Sequence, residues 1–556
     1  MLSRRATLLL FVPILLLLLG YVLYPSLRTF VLGADVENYS KMFASWRAAN
    51  VRALINSVGI SLATVLGGGL LGTSLAYFFY RYDFPLRKTL MSIAALPLAL
   101  PPLVGVLAFL FLYGESGILP RGLKMLFGLE EVPFAFEGLW AVLFVHIYTM
   151  YVYFYLFVTA ALRGIDGSLL EASAGLGAGA WTTFWRVIAP LLRPALISAA
   201  LLVFMISMAS FTAPLLFAGT ENFMTLQIYN YKVNGDLSFS ASVSTLLTLI
   251  CLVFLVMIEW TNRKSQGTSA IKGTGAASIP VQRGFARIML IGGALFLLLF
   301  LLLPIATVIL ISFAEEGSWT FQLLPERYTL ANYTSLFADP KILEPILNSL
   351  RMAVLATIGN MIFGVAAALV IAKGKIRAPG RDLIRILAVL PFAIPGTVIA
   401  VNMIVTFNAP SALSFGQILV GSFWILPLAY FIRHIPFVVR ATLAALESYD
   451  DRLTEASADL GAGFGTTFRH VMLPLISGSI LAGTLLTFVT ALGEFVSSIV
   501  LYIYSNRPIS VEILAQLRLY EFGSAAAYSV FLMLLIGLAT LLVRRLGGPT
   551  SVRKVF

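Results

Sequence analysis

The chain has 556 residues, 59% of them hydrophobic and 12% charged. Soluble domains carry about 25% charged residues, so an ordinary soluble globular domain is excluded. The formal net charge of +12 is spread between long apolar blocks, and a block of about 18 apolar residues is long enough to cross a bilayer as a helix. The charge therefore reads as loop cations of a membrane protein, not as a nucleic-acid footprint.

In chain order, Met1-Leu-Ser-Arg-Arg precedes apolar residues to about Ser26. No small-x-small cleavage site follows, so this is read as an uncleaved first span. Further spans are predicted at 55–79, 89–113, 138–162, 194–214 and 241–260 after the first at 6–26. A second set follows at 287–313, 347–372, 383–406, 416–439, 477–500 and 525–543. The expected fold is all-α and polytopic, with about 12 transmembrane helices. The polar stretch 261–286 is read as a linker between a first half, 1–260, and a second half, 287–556.

Orientation follows from loop cations. With the N-terminus inside, Arg81, Arg87, Lys88, Arg263, Lys264, Lys272, Lys373, Lys375, Arg377, Arg381, Arg544, Arg545, Arg553 and Lys554 all fall on the cytoplasmic side. Both termini are then cytoplasmic. The single cysteine, Cys251, and the three histidines, His146, His434 and His470, form no disulfide framework and no metal box.

The halves repeat. Leu96-Pro97 and Pro101 recur as Leu390-Pro391 and Pro395, an offset of 294. Glu171-Ala-Ser-Ala-Gly-Leu-Gly-Ala-Gly recurs as Glu455-Ala-Ser-Ala-Asp-Leu-Gly-Ala-Gly, an offset of 284. Copies with an even number of spans share one orientation, so these are parallel repeats about an axis along the membrane normal. The loop 166–190 reads as a helix–turn–helix elbow. Asp166 or Ser168 is the expected cap, Gly177 and Gly179 make the turn, and a second short helix ends near Pro190. The loop 450–474 repeats it with Asp450 or Asp451, Gly461 and Gly463, and Pro474.

Glu171, Ala172, Gly177 and Pro190, matched by Glu455, Ala456, Gly461 and Pro474, resemble the EAA loop of type I ABC importer permeases. The chain most resembles the fused two-half ferric-iron permeases of the binding-protein-dependent family. Serine stands where the second alanine of the motif belongs in both copies, and Ala189 where leucine usually precedes the proline. The resemblance implies that each elbow is a coupling helix seated on a nucleotide-binding ATPase subunit. It implies two copies of that subunit, a periplasmic or lipoprotein substrate-binding protein, and a place in the bacterial inner membrane. No Gly-x-x-x-x-Gly-Lys-[Ser/Thr] loop occurs in the chain. No cofactor is expected here, with ATP and Mg2+ held by the partner subunits, and the chain is expected not to be an enzyme.

Pro97, Pro101, Pro391 and Pro395 lie inside spans and should break their helices, placing irregular backbone against a central path. Ser210 and Glu494 are matched positions, 284 apart. Glu494 either favours a cationic substrate or pairs with a neighbouring donor. Glu259 reads as interfacial beside Arg263. His146 reads as a buried, hydrogen-bonded side chain, and Tyr148, Tyr151, Tyr153 and Tyr155 as packing or membrane-interface residues, not a ligand cage. Ferric iron is the expected cargo by resemblance. Thiamine and 2-aminoethylphosphonate are the alternatives on the same machinery, and an ion-coupled secondary carrier is the rival class.

Overall fold

The computed structural model describes residues 4–265, 279–280, 284–319 and 321–546; Lys272, Arg553 and Lys554 lie outside them. Among the described residues, eleven helices are long and apolar enough to cross a membrane, and a bent pair brings the number to twelve. Span one is Arg4–Gly33, span two Ala49–Arg81, span four Gly138–Arg163, span five Ala180–Met208 and span six Leu237–Ser265. Span seven is Phe285–Ile311, span eight Pro340–Lys373, span ten Ile425–Glu447, span eleven Phe464–Leu492 and span twelve Phe522–Leu546.

Spans three and nine are both broken at their prolines, as expected. Span three consists of Arg87–Ile93, Leu96–Ala99 and Pro102–Tyr113. Span nine consists of Ala378–Val389, Leu390–Phe392 and Gly396–Phe407, with a bend of 109°.

Several expected boundaries are corrected. Span ten starts at Ile425 and not at 416, because Gly416 and Gly421 take φ of 76° and 84° and Ser411 and Ser414 cap a short 3-10 turn. Spans five and eleven start earlier than expected, because the helices that begin at Ala180 and Phe464 run on into them without a break. Helix continues through 261–265 of the expected linker, and residues 266–278 lie outside the described set. One strand pairing is present among the described residues: Tyr82–Asp83 lies parallel to Ile279–Pro280.

The first span of each set crosses to the opposite set. Tyr21 donates its hydroxyl to the Leu413 carbonyl at 2.6 Å, Asn402 donates to Ser26 at 3.2 Å, and the Lys375 amide donates to Thr7 at 3.2 Å. Reciprocally, Tyr148 of span four donates to the Leu301 carbonyl of span seven at 2.7 Å. Lipid is as apolar as leucine, so close backbone approach and interhelical hydrogen bonds do much of the packing. Gly72 shows this: a Cβ there would collide with the Tyr151 carbonyl of span four.

Candidate coupling elbows and translocation path

The two elbows are nearly superimposable in chemistry. In the first, Asp166 caps the helix Gly167–Gly175 by accepting from the Ser168 amide at 3.0 Å. Asp166, not Ser168, is thus the cap. In the second, Asp450 accepts from the Arg452 amide at 3.0 Å, while Asp451 pairs with Lys373 of span eight. The arms Gly167–Gly175 and Arg452–Asp459 end in the same Schellman turn. Gly177 donates to Ala174 and Ala178 to Ser173; Gly461 donates to Ala458 and Ala462 to Ser457. Gly177 and Gly461 have φ of 76° and 80°, the left-handed region that favours glycine.

The second arms do not stop at proline. Ala180–Thr183 and Phe464–Thr467 lead through single π turns, Phe184–Ile188 and Phe468–Met472, directly into spans five and eleven. Pro190 and Pro474 stand in the first turn of the α-helical segments that follow. Lacking an N–H and clashing with the carbonyl four residues back, they widen one turn instead of ending the helix. The lever arm of each elbow is therefore continuous with a membrane span.

The serines that depart from the family pattern also have a place. Ser173 hydrogen-bonds Thr183 at 2.9 Å and Ser457 hydrogen-bonds Thr467 at 2.8 Å, each pair bridging the two arms of its elbow. Outward, Glu171, Ala172, Glu455 and Ala456 are exposed. At the tips Leu176 and Leu460 expose 88% and 89% of their surface, an orientation with no packing role inside the chain. The outer faces differ. The first elbow adds exposed Trp181 and Trp185, whereas Gly465 and Arg469 stand at the matched positions of the second.

The path candidates are brought together around the ends of spans five and eleven. Pro101 is the N-cap of the last segment of span three and packs on Gly493, beside Glu494; a Cβ on Gly493 would lie 3.1 Å from it. Pro395 is the N-cap of the last segment of span nine, and Gly396 lies under Arg433 and Val496. Pro97 and Pro391 sit in the short 3-10 turns just before these breaks.

Ser210 and Glu494 are both bound sideways to the fourth span of their own set. Ser210 shares a hydrogen bond with His146 at 2.8 Å, and His146 also contacts Ser207 at 3.1 Å. Glu494 pairs with Arg433 of span ten at 3.2 Å, and its other oxygen accepts from the amide and hydroxyl of Ser497, each at 2.9 Å. Of the two readings of Glu494, the structure has the paired one. Gly396 is required for this arrangement, because any Cβ there collides with the Arg433 guanidinium. Gly396→Ala is expected to lower stability by about 1–3 kcal/mol, the cost of overpacking, read as a fall in the unfolding temperature of the purified protein in detergent.

Residues 68–266 and 360–548 each match the family described as the binding-protein-dependent transport system inner membrane component. The chain belongs to this family. It is the membrane-spanning permease of an ABC importer, with two copies of the family domain in one polypeptide. It is 29% identical to a probable ABC transporter permease protein, y4fN, of Sinorhizobium fredii, across 89% of this chain and 88% of the relative. It is 26% identical to the ferric transport system permease protein FbpB of Actinobacillus pleuropneumoniae, across 97% and 78% of the two chains. Over 246 residues it is 31% identical to the sulfate transport system permease protein CysT of Salmonella typhimurium, covering 42% of this chain and 82% of that one.

Two cations that matter to the permease escaped the sequence reading. Arg433 lies within span ten, and one arginine and one glutamate at membrane depth are expected to find each other. Arg440 lies one to two turns further on and pairs with Glu259 of span six at 2.6 Å, joining the two halves of the permease. Glu259, read as interfacial, is 44% exposed and has Arg440 as its ion-pair partner. The tyrosines of span four pack as expected. Tyr148, Tyr151 and Tyr155 donate to the backbone carbonyls of Leu301, Ala94 and Met91.

Proposed function

We propose that this permease carries ferric iron, delivered by a substrate-binding protein, across the bacterial inner membrane. The work comes from two copies of a separate ATPase subunit seated on the elbows 166–190 and 450–474. In this reading residues 1–260 and 287–556 are the two permease halves and both termini are cytoplasmic. ATP and Mg2+ reside on the ATPase, and this chain holds no cofactor. One observation carries the coupling role: the same Schellman turn, Ser–Thr bridge and exposed leucine tip occur twice at an offset of 284. An exposed leucine on a small-residue turn is suited to insertion in a partner's apolar cleft, where burial favours binding. Iron is favoured by the long match to a ferric permease.

Affinity purification in mild detergent tests the coupling role: a nucleotide-binding ATPase should be recovered at two copies per chain. Uptake of radiolabelled ferric iron on its binding protein, against labelled sulfate, thiamine and 2-aminoethylphosphonate, tests the cargo. Uptake by the chain alone, driven by an ion gradient without ATPase, would overturn the reading.

The Ser–Thr bridges give a finer prediction. A neutral hydrogen bond contributes about 1 kcal/mol net. Ser173→Ala with Ser457→Ala should therefore weaken ATPase retention modestly, and Thr183→Val with Thr467→Val should add little once the serines are gone. Titration of labelled ATPase onto the permease in nanodiscs reads this; additive losses would mean that the hydroxyls do not act as pairs.

A further inference from the structure

The turns that follow spans five and eleven carry matched residues, Phe211 and Phe495, separated by the same 284 positions as the elbows. Their rings meet, with centroids 6.1 Å apart and planes inclined at 38°. Each side chain is only 1% exposed. Residues equivalent under a two-fold relation lie on opposite sides of the axis at equal distances. Two that touch must straddle it, here with each centroid about 3 Å away, half of the 6.1 Å separation. The repeat axis of parallel halves runs along the membrane normal, and the interface between the halves is where cargo passes.

We propose that Phe211 and Phe495 form the seal of the translocation path. The surroundings fit a seal that must open and close as a unit. Phe495 immediately follows Glu494, whose pairing with Arg433 and bonds from Ser497 fix the turn. Phe211 immediately follows Ser210, fixed to His146, and its ring packs on Tyr229 with centroids 5.5 Å apart. The break of span three abuts this turn through Pro101 and Gly493. On the coupling role proposed above, rotation of spans five and eleven by the elbows carries the two rings apart, and aromatic pairs of this kind contribute about 0.5–1.5 kcal/mol beyond their burial. A contact of that size holds a path shut at rest and yields to ATP-driven motion. The ion pair of Arg440 with Glu259, which also joins the halves, leaves both side chains more than 40% exposed, whereas the two phenylalanine rings are shut away from solvent. The inference is independent of which cargo the permease carries.

Two experiments on the full chain test this. Reconstituted in liposomes loaded with potassium, the unsubstituted permease should retain the ion. Phe211→Ala with Phe495→Ala should release it within the time that the parent holds it, and Phe211→Leu with Phe495→Leu should keep the seal. Equal retention by the double alanine variant overturns the proposal. Because that variant risks misfolding, the second experiment places Phe211→Cys and Phe495→Cys in a Cys251→Ala background with a protease site between residues 266 and 278. A short bifunctional thiol cross-linker, which spans the gap left when two meeting rings are cut back to cysteine, should keep the two halves covalently joined after cleavage; halves that separate mean that the rings do not meet, and the proposal fails.

Discussion

Arg433→Leu is expected to cost the permease about 3–5 kcal/mol and its transport activity, because it leaves Glu494 in the interior with its charge unopposed. Glu494 is only 6% exposed, and its remaining bonds are the two from Ser497. Arg433 itself is 28% exposed, so the reverse variant, Glu494→Gln, strands a better solvated charge and should be milder. The double variant Arg433→Leu with Glu494→Gln removes both charges together and should recover part of the lost stability, since removing an ion pair entirely is less harmful than halving it. Thermal unfolding of the four proteins in one detergent gives the cycle. A single Arg433→Leu variant as stable as the parent would show that the pair holds nothing together. Transport should fall furthest in Arg433→Leu, where the turn bearing Phe495 loses the ion pair that helps to fix it, and less in Glu494→Gln, whose side-chain oxygen can still accept from Ser497.

The second large effect is expected at the turns of the elbows. A Cβ added at Gly177 or Gly461 meets no atom within 4 Å, so space within the chain is not the constraint. The constraint is φ of 76° and 80°, which costs an L-residue about 1–2 kcal/mol and a β-branched residue more. Gly177→Val with Gly461→Val should unmake both Schellman turns, swing Leu176 and Leu460 away, and abolish ATPase retention and uptake. Gly177→Asn with Gly461→Asn should retain much of both, since asparagine tolerates this region. If valine and asparagine are equally harmful, the glycines matter as points of close contact with the partner and not as turns. If both are harmless, the elbows are not the coupling elements.

How much of this was legible beforehand depended on whether a feature appears twice or depends on strain and distant partners. The elbows were readable because the same small residues recur at one spacing. The breaks of spans three and nine were readable because proline acts locally, through its own missing donor. What failed was the inference that proline must end a helix. Pro190 and Pro474 instead sit at π turns, since the preceding residues already have helical backbone and one wide turn accommodates the ring. The start of span ten failed for a related reason: residues 416–424 are apolar enough to join a span, but the positive φ of Gly416 and Gly421 is invisible in hydropathy. The ion pairs of Arg433 and Arg440 needed tertiary placement. The ring pair could have been found, for it lies one position beyond the matched Ser210 and Glu494. Two identical aromatic residues at the repeat offset were a signal left unread.

The exchange of first spans has a consequence for ancestry and assembly. Each half completes its outer wall with a helix borrowed from its neighbour: Tyr21 and Ser26 are anchored in the second half, and Leu301 in the first. Neither half is a self-sufficient bundle, so a lone copy would expose to lipid a flank shaped for a sibling. Joining the two in one polypeptide guarantees that each always meets its mate and never a twin. Under that guarantee the copies are released from having to fit themselves, and each is free to drift toward its own role. The halves already differ at this matched position, with a histidine–serine bond on one side and an arginine–glutamate pair on the other.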